Sequence, residues 1–329
     1  TTATHDHKRG ADTRMRLLAL AERPDRWGDV VQALDAIGDD HRGAHGPSPN
    51  DAYLFYQTLA ALWCDAHGAP RGPDARDALV ERLRDYMEKA AREAKQQTSW
   101  INPNEDYEAD LEAFVRGVAT DPETPGVLDD FAATLAEAGF ANRLGQLVLK
   151  ATAPGVPDVY RGTELADLSL VDPDNRRPVD WDRRRSALED LAPLLDAPSA
   201  EAVRSLLDSP DPRAYLYLTA RLLRWRRAHP ALAGAEGYTD LSPEGEGAGN
   251  WLAFARFTGP EDAPEAALLT VVARHPLTRD DDAPAALPLP PPLAGRAWTD
   301  VLTGDTLRPG DTLDLRALPA GRVAALHAA

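Results

Sequence analysis

The sequence predicts an α/β chain: a helical block, a loop-rich segment, further helices, then a small antiparallel β unit. Three observations carry this. Apolar residues recur at helical spacing through residues 50–150, with no strand candidate of comparable strength. Prolines and glycines punctuate residues 154–185. Runs of β-branched and aromatic residues, separated by turn residues, begin only after residue 250. In chain order, residues 1–6 are rich in threonine and read as a short buried strand ending in polar groups. Met15, Leu18 and Ala19 mark a helix over about 12–22, which Pro24 stops. Residues 39–50 hold Gly43, Gly46, Pro47 and Pro49 and read as a loop, after which Asn50 or Asp51 can cap a helix over 52–66. A long amphipathic helix follows over 74–97. Leu79, Leu83, Met87 and Ala90 form its apolar stripe, and Asp85–Lys89 and Glu88–Arg92 are pairs with the acid placed first. Two more helices read at about 105–119 and 126–150, and helices return over about 186–229. Strands are expected at 251–257 and 268–273, with short pieces near 298–303, 312–316 and 322–327. Residues 284–293 read as a polyproline-like connector.

The chain has 329 residues, about two domains' worth. Lys plus Arg is 36 and Asp plus Glu is 53, a formal charge of −17. Such a surface repels nucleic acid and anionic lipid, so neither is expected as a partner. Cys64 is the one cysteine, which fits a reducing compartment and a core thiol. With no apolar run of ~20 residues and no signal-peptide pattern, a cytoplasmic location is expected. Thr1 in place of an initiating methionine suggests a piece of a longer protein.

Three polar clusters can carry chemistry. The first is His5-Asp6-His7-Lys8-Arg9. Its His-x-His spacing lacks a second ligand cluster, so no metal is expected. At the mouth of a barrel strand, Asp6 and His5 would face an active site, where a carboxylate can accept hydrogen bonds from neighbouring sugar hydroxyls. The plain alternative is that Asp6 or Asp12 caps the next helix. The second cluster is Pro-Gly-Val-Pro-Asp-Val-Tyr-Arg-Gly-Thr-Glu at 154–164, and the third is Asp-Pro-Asp-Asn-Arg-Arg-Pro at 172–178. Planar polar groups of this kind bind sugars together with aromatic platforms, for which Tyr160, Trp100, Tyr107 and Trp181 are candidates; core packing is the alternative for each. No phosphate-binding glycine loop or Gly-x-Ser-x-Gly turn is present.

Thr-His-Asp at 4–6 with Lys8-Arg9, the segment 154–164, and Asp-Pro-Asp-Asn-Arg-Arg-Pro-Val-Asp at 172–180, in this order, resemble the C-terminal half of the maltooligosyltrehalose synthases, a subfamily of glycoside hydrolase family 13 in the α-amylase superfamily. Residues 89–95 with Thr98-Ser99-Trp100, and residues 144–150, resemble the same subfamily. The resemblance implies the C-terminal part of a TIM (β/α)8 barrel with a large helical insertion, followed by a small antiparallel β domain. Residues 1–235 would be the barrel part, with the insertion over 10–150 and an active-site loop region over 154–185. Residues 250–329 would be the β domain. Residues 1–6 and about 156–161 would be the seventh and eighth barrel strands. Asp6 would stabilise the transition state, and His5, Lys8, Trp100, Tyr160, Glu164, Asp174, Asn175 and Arg176 would bind substrate. No cofactor or metal is implied.

The implied activity is intramolecular transglycosylation. The reducing-end α-1,4 linkage of a maltooligosaccharide becomes an α,α-1,1 linkage, a step of trehalose biosynthesis. Two departures stand out: His7 replaces a small residue, and Arg161 replaces a glutamine. The family's nucleophilic aspartate and general-acid glutamate belong to earlier barrel strands, and no Arg-x-Asp segment here could replace them. A retaining mechanism needs two carboxyl groups about 5–5.5 Å apart. The chain alone is therefore expected to be inactive and to need the N-terminal half of the barrel as its partner. The alternatives are another amylase-family hydrolase (an α-glucosidase or a trehalohydrolase) or a noncatalytic glucan-binding chain.

Overall fold

The computed structural model describes residues 1–329, which group into two compact units. A helical unit comprises residues 5–139 and 167–177, and a mixed unit comprises 1–4, 140–166 and 178–329. The helices are α1 (Ala11–Leu18), α2 (Pro24–Asp39), α3 (Pro49–Leu62), α4 (Pro73–Ala94), α5 (Glu105–Thr120), α6 (Thr124–Thr152), α7 (Trp181–Asp196), α8 (Ala200–Asp208), α9 (Arg213–Ala228) and α10 (Pro230–Ala233). The strands are β1 (Gly237–Leu241), β2 (Trp251–Thr258), β3 (Ala266–Ala273), β4 (Ala286–Pro288), β5 (Trp298–Asp300), β6 (Thr306–Leu307), β7 (Thr312–Asp314) and β8 (Val323–Ala328).

The helical unit is built from α1 to α5 and the part of α6 up to Gly139. Pro24 does not merely stop α1. It opens α2, where its missing N–H costs nothing in the first turn. Likewise Ser48, not Asn50 or Asp51, caps α3: its hydroxyl accepts from the Asp51 amide at 3.2 Å, with Pro49 in the first turn. Leu34, Phe55, Tyr56, Leu59, Leu83, Met87 and Phe114 are fully buried. The Phe55 and Phe114 rings meet edge to face at 5.8 Å. Gly38 lets α2 approach this cluster, since a Cβ there would lie 2.6 Å from the Tyr56 hydroxyl and 2.8 Å from the Phe114 ring. Arg16 is buried and donates to the carbonyls of Ala61 and Cys64 at 2.9 and 2.8 Å, satisfying backbone acceptors at the C-terminal end of α3 and just past it. Cys64 is a buried thiol just past that helix, and burial pushes its pKa up to about 11.

In the mixed unit a six-stranded antiparallel sheet runs β1-β2-β3-β8-β5-β6, beside a β4–β7 ribbon. Strand β3 reads Ala-Ala-Leu-Leu-Thr-Val-Val-Ala because both of its faces are covered. Leu268 and Val272 pack with Leu218, Leu222 and Val203 of the helices. Leu269 and Val271 pack with Leu287 and Leu313 of the ribbon, and with Trp298. The β unit therefore shares its core with α7–α9. Arg256, on β2, is 1% exposed, and its two terminal nitrogens donate to the carbonyls of Ala233 and Ala235. Part of the expected proline-rich connector is strand β4, whose Pro288 stands opposite Thr312. Pro288 is the last residue of this short edge strand, a place where proline is tolerated.

Residues 1–6 and 156–161 are not strands in this structure. A parallel barrel strand needs hydrogen-bonding neighbours on its edges, and no segment of residues 1–329 supplies such a ladder there. The Thr1 hydroxyl does reach Asp158, at 2.8 Å, within the mixed unit. Phe114→Ala is expected to destabilise the chain by about 3–5 kcal/mol. Urea denaturation, followed by the loss of helical circular dichroism, measures it.

Candidate functional site

The polar face of α4 organises the expected residues of the helical unit. Its apolar stripe buries Leu79, Leu83, Met87 and Ala91. On the other side, Arg82 donates to both carboxylate oxygens of Asp174, each at 2.9 Å, and to the Leu168 carbonyl at 2.7 Å. Asp174 also accepts from the Leu170 amide at 2.7 Å. One turn of loop is thus closed on a single carboxylate. Burial alone would push the Asp174 pKa up, but Arg82 and the Leu170 amide hold it below its ordinary value.

Lys89 donates to Asp172 twice, to its carboxylate at 2.7 Å and its carbonyl at 2.8 Å. This contact holds the Asp172 pKa low. The expected Asp85–Lys89 pair does not form, because Lys89 turns to the loop and Asp85 pairs with Arg84 at 2.6 Å. The expected Glu88–Arg92 pair does form, at 2.7 Å.

The N-terminal motif meets the same loop. Asn175 donates its side-chain amide to the His5 carbonyl at 2.9 Å. Gly10 donates its N–H to Ser169 at 2.7 Å, and a Cβ on Gly10 would lie 2.7 Å from the Asp167 carbonyl, which explains the glycine. Asp12 accepts from the Asp167 amide at 2.8 Å. Asp12 therefore anchors the loop, and Gly10, without a side-chain cap, precedes α1. Lys8 pairs with Glu93 of α4 at 2.5 Å, and that carboxylate raises the Lys8 pKa. His5 and Asp6 lie 3.3 Å apart with side chains 49% and 81% exposed, open to a ligand. Arg176 is also exposed, 3.4 Å from Asp172. A cavity of about 290 Å³ lies between α4 and the loop, lined by Arg82, Tyr86, Lys89, Asp172, Asp174 and Arg177 among others.

The four aromatic candidates divide. Trp100 is 55% exposed with the Arg92 guanidinium 4.8 Å from its ring centre, and its exposed flank can stack on a ligand. Tyr107 is core instead: it is 1% exposed and its hydroxyl is bonded to Asp51 and to the Ser48 amide. Its ring sits on the buried face of α5, with Leu111, Phe114 and Val118.

Tyr160, Glu164 and Trp181 belong to the mixed unit. Tyr160 is half-buried, and its carbonyl accepts from the Thr163 hydroxyl at 2.6 Å. Glu164 pairs with Arg184 at 3.0 Å, and the same guanidinium donates to the Gly162 carbonyl and lies 5.9 Å from the Trp181 ring centre. In the same unit Lys150 donates to the Thr2 hydroxyl at 3.3 Å. Burial, helped by Arg143, pushes its pKa down to about 8.

Sequence reasoning missed Arg82, Lys89 as a loop ligand, and Glu93. Their signal was the second stripe of α4: positions 82, 86, 89 and 93 fall within about 60° of one another at 100° per residue.

Helices, an antiparallel sheet and the three motifs in this order resemble the C-terminal portion of an α-amylase-superfamily chain. No protein-family model matches it. Two proteins described as "Putative maltooligosyl trehalose synthase", from two strains of Mycobacterium tuberculosis, are 35% identical to it over 308 residues, 93% of this chain and 34% of theirs. The solved maltooligosyltrehalose synthase of Arthrobacter ramosus superposes with a TM-score of 0.76 at 30% identity, over 100% of this chain and 38% of that one. A second solved maltooligosyl trehalose synthase superposes with a TM-score of 0.75 at 27% identity, over 99% of this chain and 39% of that one. The chain is a homologue of the maltooligosyl trehalose synthases, as its motifs implied, and spans about a third of the length of the curated relatives it matches.

Asp174→Ala is expected to cost about 3 kcal/mol, because it strands the Arg82 guanidinium. Asp172 and Asp174 have folded-state pKa values below the ordinary 3.8, so their stabilisation is present above that pH and is lost as pH falls through the folded values. Asp174→Asn should therefore flatten the acid limb of a stability–pH profile below about pH 4, read by urea denaturation at each pH.

Proposed function

We propose that this chain is part of an intramolecular transglycosylase that turns the reducing-end α-1,4 linkage of a maltooligosaccharide into an α,α-1,1 linkage. The similarity over 93% of the chain carries the reading. The Asn175–His5 hydrogen bond supports it, because it joins two of the three motifs around an accessible aspartate. In the longer protein, residues 1–235 complete a (β/α)8 barrel around a helical insertion at 10–150. Residues 1–6 and 156–161 there acquire the strand neighbours they lack here, and residues 250–329 are the terminal β domain.

Asp6 accepts hydrogen bonds from adjacent hydroxyls of the reacting glucose and tightens on them as the ring flattens in the transition state. His5, Asn175 and Arg176 contact the same sugar, and Trp100 and Tyr160 offer stacking faces. Lys8, Glu164 and Asp174 are already engaged by Glu93, Arg184 and Arg82, so Asp174 serves by holding Asn175 in place. The covalent glycosyl intermediate must be kept from water for transfer to prevail over hydrolysis. In the longer protein, the helical insertion and the 154–180 loop close over the reducing-end glucose. The nucleophile and general acid come from the remainder of the protein, which is the partner this chain needs. A cytoplasmic setting fits a chain whose helices are none of them long and apolar enough to cross a membrane.

Residues 1–329 alone should leave maltopentaose unconverted, measured by chromatography of the products. Conversion by this segment near the rate of a complete enzyme would overturn the reading. In a complete enzyme, Asp6→Asn should lower kcat by at least ~100-fold while changing KM little. Product analysis separates the rivals: a non-reducing oligosaccharide of unchanged length supports transfer, and free glucose or trehalose supports a hydrolase.

A further inference from the structure

The stripe Arg82, Tyr86, Lys89 and Glu93 runs along one face of α4 for about 16 Å at 1.5 Å per residue. Three of its members each hold a different piece of the candidate site. Arg82 takes Asp174, Lys89 takes Asp172, and Glu93 takes Lys8. Lys89 and Glu93 are themselves 3.9 Å apart, so the last two grips are electrostatically joined. The ring is closed on the far side by Asn175 donating to the His5 carbonyl. Two segments that are more than 160 residues apart in sequence are thus set against one another by the pitch of one helix. Asp174, held by Arg82, is inward, with a side chain 14% exposed, while Asp6 is 81% exposed.

We propose that Arg82, Lys89 and Glu93 are positioning residues that hold the 172–176 loop and the His5–Lys8 turn in register along α4, and thereby fix Asp6 beside Asn175. This inference rests on the transglycosylase reading for its kinetic consequence, though not for its geometry. Lys89 is the centre of the device, because its ammonium bridges Asp172 of the loop and Glu93, the partner of Lys8. Its loss lets the two motifs drift independently. A reacting sugar that needs both then spends less time in the reactive geometry, and an ångström of drift is enough to cost on the order of 100-fold in rate. Drift also opens the intermediate to water, so transfer gives way to hydrolysis.

The test uses Lys89→Met and Lys89→Arg in a complete enzyme containing this segment, with the same variants in the 329-residue chain. The expected result in the enzyme is a kcat lower by roughly 10–100-fold for Lys89→Met, KM within about threefold, and more glucose released per linkage formed. Lys89→Arg, which keeps the charge and can still bridge, should recover most of the rate. In the 329-residue chain, Lys89→Met should speed amide hydrogen exchange at residues 168–176 and 5–10 together. An unchanged kcat, a loss that Lys89→Arg fails to rescue, or exchange that rises in only one of the two segments overturns the proposal. Failure of the underlying reading is distinguishable, because it appears in the unsubstituted enzyme as an absence of the α,α-1,1 product. In that case the split between kcat and KM for whatever hydrolysis remains, and the exchange data, still decide the positioning role.

Discussion

The forked contact between Arg82 and Asp174 is the constraint on which the rest of the site depends. Asp174 receives two guanidinium N–H groups and one backbone amide, and the same arginine takes the Leu168 carbonyl. The loop makes short turns of its own, with the Asp174 amide on the Val171 carbonyl and the Arg176 amide on the Pro173 carbonyl, and these turns are tied down from outside. Arg82 supplies that outside frame from a 22-residue helix whose opposite face is core. The geometry is that of a forked charge pair in which the arginine Nε and one terminal nitrogen are both matched, and such matching makes a partly buried pair tolerable.

A division of labour among the polar residues follows. The exposed groups, His5, Asp6, Arg176 and the flank of Trp100, have room for a ligand. The engaged groups, Asp172, Asp174, Lys89 and Glu93, spend their hydrogen bonds on one another or on backbone. A cluster rich in both signs of charge can look uniformly like a binding site in sequence. In three dimensions part of it is mortar, and accessibility tells the two apart.

The mixed unit solves a different problem. Its sheet would expose one apolar face if the β region stood alone. Helices α7–α9 cover one side and the β4–β7 ribbon covers the other. This double cover is why β3 is a continuous apolar run, and why a buried arginine on β2 can turn its charge onto the carbonyls of Ala233 and Ala235.

Sequence alone determined the helical block, the strands expected at 251–257, 268–273 and 322–327, and the relationship to maltooligosyl trehalose synthases. These are legible because they rest on local periodicity and on contiguous motifs, both of which survive in one dimension. Helix α2 was hidden because proline reads equally as a stop and as a first-turn residue. Strand β4 was hidden because prolines mask a three-residue pairing. Only the tertiary structure decided which members of the three motifs stay open and which are clamped. It sent Tyr107 into the core, turned Lys89 from its helical neighbour to Asp172, and set Asn175 on the carbonyl of His5. Those outcomes depend on which distant backbone comes within about 3 Å of a side chain, and no spacing along the chain encodes that distance.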